Sequence, residues 1–186
     1  NAKNYVLQAG KIVRFEGVNP VKVMYNGDWL NELKLADVLD IAQNFSVQQL
    51  IERDMYQDRI TRGESINLRE FLYPLLQGYD SVAMDVDLEV GGTDQTFNML
   101  AGRQLVKSIL NKEKFVLLIP LLTDSKGVKI GKSEGNVIGI TDHPSEFYGK
   151  IMALGDDSIT NMFTLLTDKP LEEIKEIEKA IENGEN

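Results

Sequence analysis

A short apolar stretch, Val86 to Val90 (VDLEV), runs into Gly91-Gly92, and a second, FVLLIP, begins at Phe115. Between them the chain reads as a helix from about Gln95 to Leu110. Strand, helix, strand in that order points to an α/β sheet with parallel strands. The paired glycines add a second constraint, because glycine at the carboxyl end of a strand lets the backbone approach a ligand closely. Ligands of open parallel sheets bind at that end, and the N-terminus of the following helix offers donors and partial positive charge. Asp94 and Gln95 occupy the turn. Asp94 there reads either as a helix N-cap, the commoner use of an aspartate, or as a group facing a ligand.

The flanking segments fill in the architecture. VKVMY, Val21 to Tyr25, alternates apolar residues and predicts a strand. A helical region follows from Asp28 to about Asp58. Asn67 with Glu70 three residues on is a capping signal, so a helix should run from Leu68 to about Gln77 and stop at Gly78, with Pro74 able to bend it. Further helices are expected over Ser145–Met152, Ser158–Leu166 and Leu171–Ile181, the last with Leu171, Ile174, Ile177 and Ile181 on one side. FVLLIP reads as a buried strand.

Composition removes several functions. There is no cysteine, hence no disulfide framework or thiolate metal site, and the lone histidine, His143, leaves no multi-histidine metal site. His143 in TDHPSE reads as a residue starting a helix. The net charge of −9 argues against a nucleic-acid coating protein. No apolar run of about 18 residues predicts a membrane span, and the first residues lack a signal-peptide core. A cytoplasmic protein is the expectation.

Two polar constellations stand out besides the glycine turn. Tyr73, Gln77 and Asp80 are spaced i, i+4, i+7, so one face of a helix continuing to Asp80 would carry a phenol, a carboxamide and a carboxylate. That stripe reads as a solvent face or as a polar pocket for an amino group and a hydroxyl. The other is LLTDSKGVKIGKSEGNVIGI, where Lys129, Lys132 and Ser133 sit among Gly127, Gly131, Gly135 and Gly139. A glycine-rich loop carrying point positive charges suits an anion, phosphate above all.

Taken in order, these pieces resemble tyrosyl-tRNA synthetase, a class I aminoacyl-tRNA synthetase. REFLYPLLQGYDSVAMDVDLEVGGTDQTFNMLAGR is similar to that family's tyrosine-binding helix and Gly-Gly-Ser/Thr-Asp-Gln turn, KIGKS to the class I Lys-Met-Ser-Lys-Ser loop, and YNGDWL to the start of the connecting insertion that carries the dimer contact. Asn98 stands where tryptophanyl relatives typically have histidine. The resemblance implies the second half of a Rossmann-like nucleotide-binding domain with a helical insertion. It implies ATP-dependent activation of tyrosine to tyrosyl-adenylate, then transfer to tRNA(Tyr). Asp80 would accept the substrate phenol, Tyr73 and Gln77 would hold its ammonium, and Gln95 its carboxylate end. Asp94 would take the ATP ribose and Gly92 would lie against the nucleotide. Lys129, Lys132 and Ser133 would grip the pyrophosphate end by electrostatics. Mg2+ is expected to arrive with ATP, with no protein metal site.

The same resemblance sets an expected organisation. Residues 1–145 would be a partial catalytic domain, with the insertion at about 27–66. Residues 146–186 would lead toward an anticodon-binding domain. The family's His-Ile-Gly-His motif has no counterpart here, so the chain reads as a fragment that does not make adenylate at a useful rate by itself, associating as a homodimer through the insertion. Other readings are another adenylyl-transferring ligase, a non-catalytic interaction or dimerisation fragment, and one half of a split synthetase. Uncovered apolar surface and a sheet edge are expected to favour association.

Overall fold

The computed structural model describes residues 2–124, 126–131 and 134–185. Its elements run α1 (Ala2–Ala9), α2 (Gly27–Leu30), α3 (Leu35–Ala42), α4 (Val47–Ile51), α5 (Asp54–Thr61), α6 (Leu68–Ala83), β1 (Leu88–Gly92), a 3-10 turn (Thr93–Gln95), α7 (Thr96–Leu105) extended by a wider turn, β2 (Phe115–Ile119), α8 (Pro144–Met152), α9 (Ile159–Leu166) and α10 (Leu171–Glu182). Two compact units emerge: Met24–Pro120, and Asn1–Val23 together with Leu121–Asn186.

The first unit holds the expected α/β element. β1 and β2 pair in parallel, Leu88 opposite Phe115 through Gly92 opposite Ile119, with α7 as the crossover. The core lies beneath it, where Ile41, Leu50, Leu75, Val82, Leu105 and Val106 cluster. Removing such side chains from water contributes roughly 1.5–3 kcal/mol each. β2 departs from its predicted burial: Phe115 is 68% exposed, and Leu117 and Ile119 are exposed as well. The reason is the two-stranded sheet, which leaves β2 no further described neighbour. The expected uncovered apolar surface is therefore present.

α6 begins as predicted. Asn67 accepts from Arg69 N at 2.9 Å, and Glu70 Oε1 accepts from Asn67 N at 3.0 Å, satisfying donors that a helix N-terminus leaves orphaned. It does not stop at Gly78 but runs to Ala83. Two local facts allow this. Pro74 lacks the N–H that would bond the Glu70 carbonyl, and the buried Tyr56 hydroxyl donates to that carbonyl instead, at 3.0 Å. Gly78 is a packing residue: a Cβ there would lie 3.0 Å from Gly102 N and 3.1 Å from the Ala101 carbonyl carbon. Its missing side chain lets α6 and α7 touch backbone to backbone.

VKVMY is not a strand. Val21 N bonds the Arg14 carbonyl at 2.9 Å, no ladder forms, and Val21, Val23, Met24 and Tyr25 are exposed. Alternation marks two faces, but a strand exists only when a neighbour takes its backbone groups. The region from Asp28 to Asp58 is helical as expected, broken into the short helices α2 to α5.

In the second unit the three tail helices fall where predicted. His143 caps α8, its ring accepting from Ser145 N at 3.4 Å, with Pro144 as the first helical residue. On α10, Ile174 is buried while Leu171 is exposed. No helix is long and apolar enough to cross a membrane among the described residues.

Candidate functional site

The carboxyl end of β1, the 3-10 turn and the face of α6 bring together most of the polar residues singled out above. Because α6 continues past Gly78, Tyr73, Gln77 and Asp80 share one helix. Gln77 Nε2 donates to Gln95 Oε1 at 3.3 Å. Asn98, buried one turn into α7, donates from Nδ2 to Gln77 Oε1 and to Gln95 Oε1, both at 3.0 Å. The three carboxamides thus knit α6, the turn and α7. Asn98 Oδ1 is buried without a protein partner, an acceptor left over once the trio has paired. Asn98 also lines a cavity of about 380 Å³ with Tyr73 and Glu70, into which Arg53 and Arg69 contribute. Tyr73 is 66% exposed.

Asp80 sits one turn further along α6 and is half-buried. Its Oδ1 accepts from the Trp29 indole at 2.8 Å and its Oδ2 from Asn26 Nδ2 at 3.4 Å. Both donors come from YNGDWL, so the start of the α2 segment fixes the carboxylate's orientation. A carboxylate has about four acceptor positions, and two donors leave room for another. Burial pushes the Asp80 carboxyl above its usual range, the Trp29 and Asn26 hydrogen bonds oppose this, and the negative charge of Glu89 adds to it. Asp80, Gln77 and Glu89 line one cleft of about 410 Å³, floored by Met84 and Val90.

Behind that cleft lies a network that sequence reading missed. Lys114, 2% exposed and immediately before β2, donates from Nζ to Ser81 Oγ at 2.8 Å, to the Met99 carbonyl at 3.2 Å and to Glu89 Oε2 in a close ion pair. Ser81 Oγ donates to the same carboxylate oxygen at 3.2 Å. Lys114 lies in NKEKF, which looks like a solvated charge cluster, and no periodic signal separates it from Lys112. Only the fold turns it inward.

At the glycine turn, Asp94 falls inside the 3-10 turn, and the cap position of α7 belongs to Gln95, which makes no side-chain cap. The N-cap reading of Asp94 is therefore corrected: the turn inserts three residues between Gly92 and the helix proper. Gly92 ends β1 opposite Ile119. Gly91 is the close-approach glycine, since a Cβ there would meet Met99 Sδ at 2.8 Å.

The lysine loop belongs to the other unit. Thr123 and Lys129 form an antiparallel bridge, and Ile130 N donates to the Leu122 carbonyl at 2.8 Å. Asp124 Oδ1 accepts from Lys126 N and Val128 N at 2.9 and 3.0 Å, shaping a turn in which Gly127 has φ +75°. Asn136 clamps the far side, accepting from Gly131 N at 2.8 Å and donating to the Lys129 carbonyl at 3.1 Å. Two of the three expected anion-gripping residues, Lys132 and Ser133, lie outside the described residues. Among the described residues no group of three or more His, Cys, Asp or Glu side chains could hold a metal ion.

The family described as tRNA synthetases class I (W and Y) matches residues 1–186. The tyrosine–tRNA ligase of Haemophilus ducreyi is 42% identical over 187 residues, which cover all of this chain and 46% of that protein. Tyrosine–tRNA ligase 2 of Vibrio parahaemolyticus is 44% identical over 187 residues, all of this chain and 47% of that protein. The chain thus spans about half the length of the curated relatives it matches. A C-terminally truncated mitochondrial tyrosyl-tRNA synthetase of Coccidioides posadasii superposes with a TM-score of 0.59 at 21% identity, over 98% of this chain and 56% of that one. The tyrosyl-tRNA synthetase of Archaeoglobus fulgidus complexed with L-tyrosine gives 0.57 at 23% identity, over 76% and 46%. These structural likenesses establish the class I synthetase fold.

Proposed function

Because the chain belongs to the class I tRNA synthetases of the tryptophan and tyrosine type, we propose that it forms part of the tyrosine site of a tyrosine–tRNA ligase. The whole protein would join tyrosine to tRNA(Tyr) at the expense of ATP. The observation that carries the reading is Asp80: a half-buried carboxylate, oriented by Trp29 and Asn26, with acceptor capacity to spare. It would accept the hydroxyl of a phenol. Tyr73, Gln77 and the unpaired Asn98 Oδ1 would receive the ammonium, and Gln95 the carboxylate end. Asp94 and Gly92 would meet the ATP ribose and nucleotide. Lys129, with Lys132 and Ser133, would stabilise the charge that develops on pyrophosphate. Mg2+ would enter bound to ATP phosphates, as this ion usually does. The reaction would take place in the cytoplasm.

The chemistry asks for no side-chain nucleophile. The tyrosine carboxylate attacks the α-phosphate, pyrophosphate leaves, and the terminal ribose of tRNA then displaces AMP. Orientation and charge stabilisation carry the rate. Discrimination against phenylalanine follows from leaving an acceptor position of the Asp80 carboxylate unfilled, and sites of this kind reject the analogue by about 10⁴-fold or more. Calorimetric titration tests the reading. Tyrosine should bind the chain, phenylalanine should not, and Asp80→Ala should erase the difference. A wild-type chain that binds both equally, or neither, overturns it.

The exposed faces of β1 and β2, with Leu88, Val90, Phe115, Leu117 and Ile119, favour a second reading. In it the chain associates, with another copy through the insertion or with a polypeptide that completes the sheet. Light scattering across a concentration series distinguishes a monomer from either assembly.

A further inference from the structure

We propose that Lys114 is a positioning residue for the tyrosine site: it neutralises Glu89, so that Asp80 is the carboxylate of the cleft left to turn its negative charge toward a hydroxyl. The proposal rests on the reading of Asp80 given above. Two carboxylates line this cleft, and they differ in what holds them. Asp80 is held by neutral donors, Trp29 and Asn26, and keeps acceptor positions free. Glu89 is held by an ammonium and by the Ser81 hydroxyl, both at Oε2.

The Lys114 arrangement is complete as a site. An ammonium has three donors, and here Glu89, Ser81 and the Met99 carbonyl account for all three. Space for it is made by Gly102, where a Cβ would lie 2.6 Å from Lys114 Nζ and 2.8 Å from Ser81 Oγ. A buried ion pair is usually no more stabilising than apolar residues of the same volume. Its presence therefore needs another reason, and the cleft supplies it: Ser81, which bonds both members of the pair, follows Asp80 directly. Without Lys114, Glu89 would put an unneutralised charge into the cleft that Asp80 also lines, and a nearby negative charge disfavours ionisation of a carboxyl.

The charged groups around Asp80 are few among the described residues. β1 supplies Glu89, and Lys114, just before β2, acts through it. The start of the α2 segment supplies the neutral Asn26 and Trp29. At the α6–β1 turn Asp85 and Asp87 are both paired with Lys112.

Carbon-13 NMR of the Asp80 and Glu89 side-chain carboxyls, assigned with Asp80→Asn and Glu89→Gln, tests this without any ligand. In Lys114→Met the Asp80 resonance should titrate at a higher pH than in the wild type, because the charge of Glu89 is no longer neutralised. In Lys114→Met/Glu89→Gln the Asp80 midpoint should return to near its wild-type value. An Asp80 curve that stays put while Glu89 alone moves overturns the proposal. If Lys114→Met does not fold, Lys114→Gln, which keeps a donor but no charge, replaces it. Unfolding of both single variants with a folded double variant would mark the pair as purely structural and also overturn it. Tyrosine titration of the same samples separates the two ideas. Failure of the wild type to bind tyrosine defeats the reading of Asp80, whereas normal binding with an unmoved Asp80 curve defeats the role given to Lys114.

Discussion

Gly102→Ala is the sharpest probe of the packing behind the cleft. Gly102 lies inside α7, where alanine is intrinsically better by about 1 kcal/mol. A helix judged in isolation would gain from the change. The structure reverses the sign, because the new methyl would sit 2.6 Å from Lys114 Nζ and 2.8 Å from Ser81 Oγ. The ammonium has no free space to move into, as Lys114 is fully enclosed and bonded on three sides. Displacing one partner of a buried ion pair costs roughly 3–5 kcal/mol. Glu89 retains 26% exposure and would rehydrate in part, which favours the low end. The net expectation is a loss of about 2 kcal/mol, about 30-fold in the ratio of folded to unfolded chain. For a chain of this size that lowers Tm by about 4–8 °C. Urea unfolding followed by tryptophan fluorescence suits the test, since Trp29 is the lone tryptophan and lies in the same unit. An alanine variant as stable as the wild type, or more so, would show that α6 and α7 do not enclose the ammonium this tightly.

Two further outcomes follow from local contacts. Asn67→Ala removes the accepting half of the α6 capping box and should cost about 1 kcal/mol in the same urea experiment, while Asn67→Asp should cost little. In the other unit, the hydrogen bond from Lys150, followed by that from Gly139 N–H, holds the Asp142 carboxyl below its ordinary range. A depressed acid contributes its full stabilisation above the unfolded-state value and loses it as pH falls through the folded one. The Gly139 amide proton should therefore shift and exchange faster only in strongly acidic solution, and Lys150→Met should move that change to higher pH. An amide insensitive to the substitution would contradict the assignment.

Much of the fold was legible because it rests on local rules. The strand–glycine–helix–strand order, the Asn67–Glu70 box, the His143 cap and the tail helices each depend on residues within a turn or two of one another. The failures share a different cause. VKVMY has the alternation of a strand but no partner. Gly78 looks like a stop signal, yet it is a point of contact between two helices. Asp94 looks like a cap, but the turn that shifts the cap to Gln95 is not encoded by residue type. In each case the missing information was what lay across space.

The candidate site divides along the same line. Residue types and spacing alone determined that Tyr73 and Gln77 lie one turn apart on a helix, and that a glycine turn follows β1, since both are properties of one segment's geometry; that the helix carries on to Asp80 depended on packing at Gly78. Tertiary structure decided the rest. Asn98 joins Gln77 to Gln95, Trp29 and Asn26 aim the Asp80 carboxylate, and Lys114 from a charge-rich stretch becomes an enclosed cation. Hydrogen bonds and charges act over a few ångströms whatever the separation along the chain, so their partners emerge only when α2, α6, α7 and the two strands are brought together.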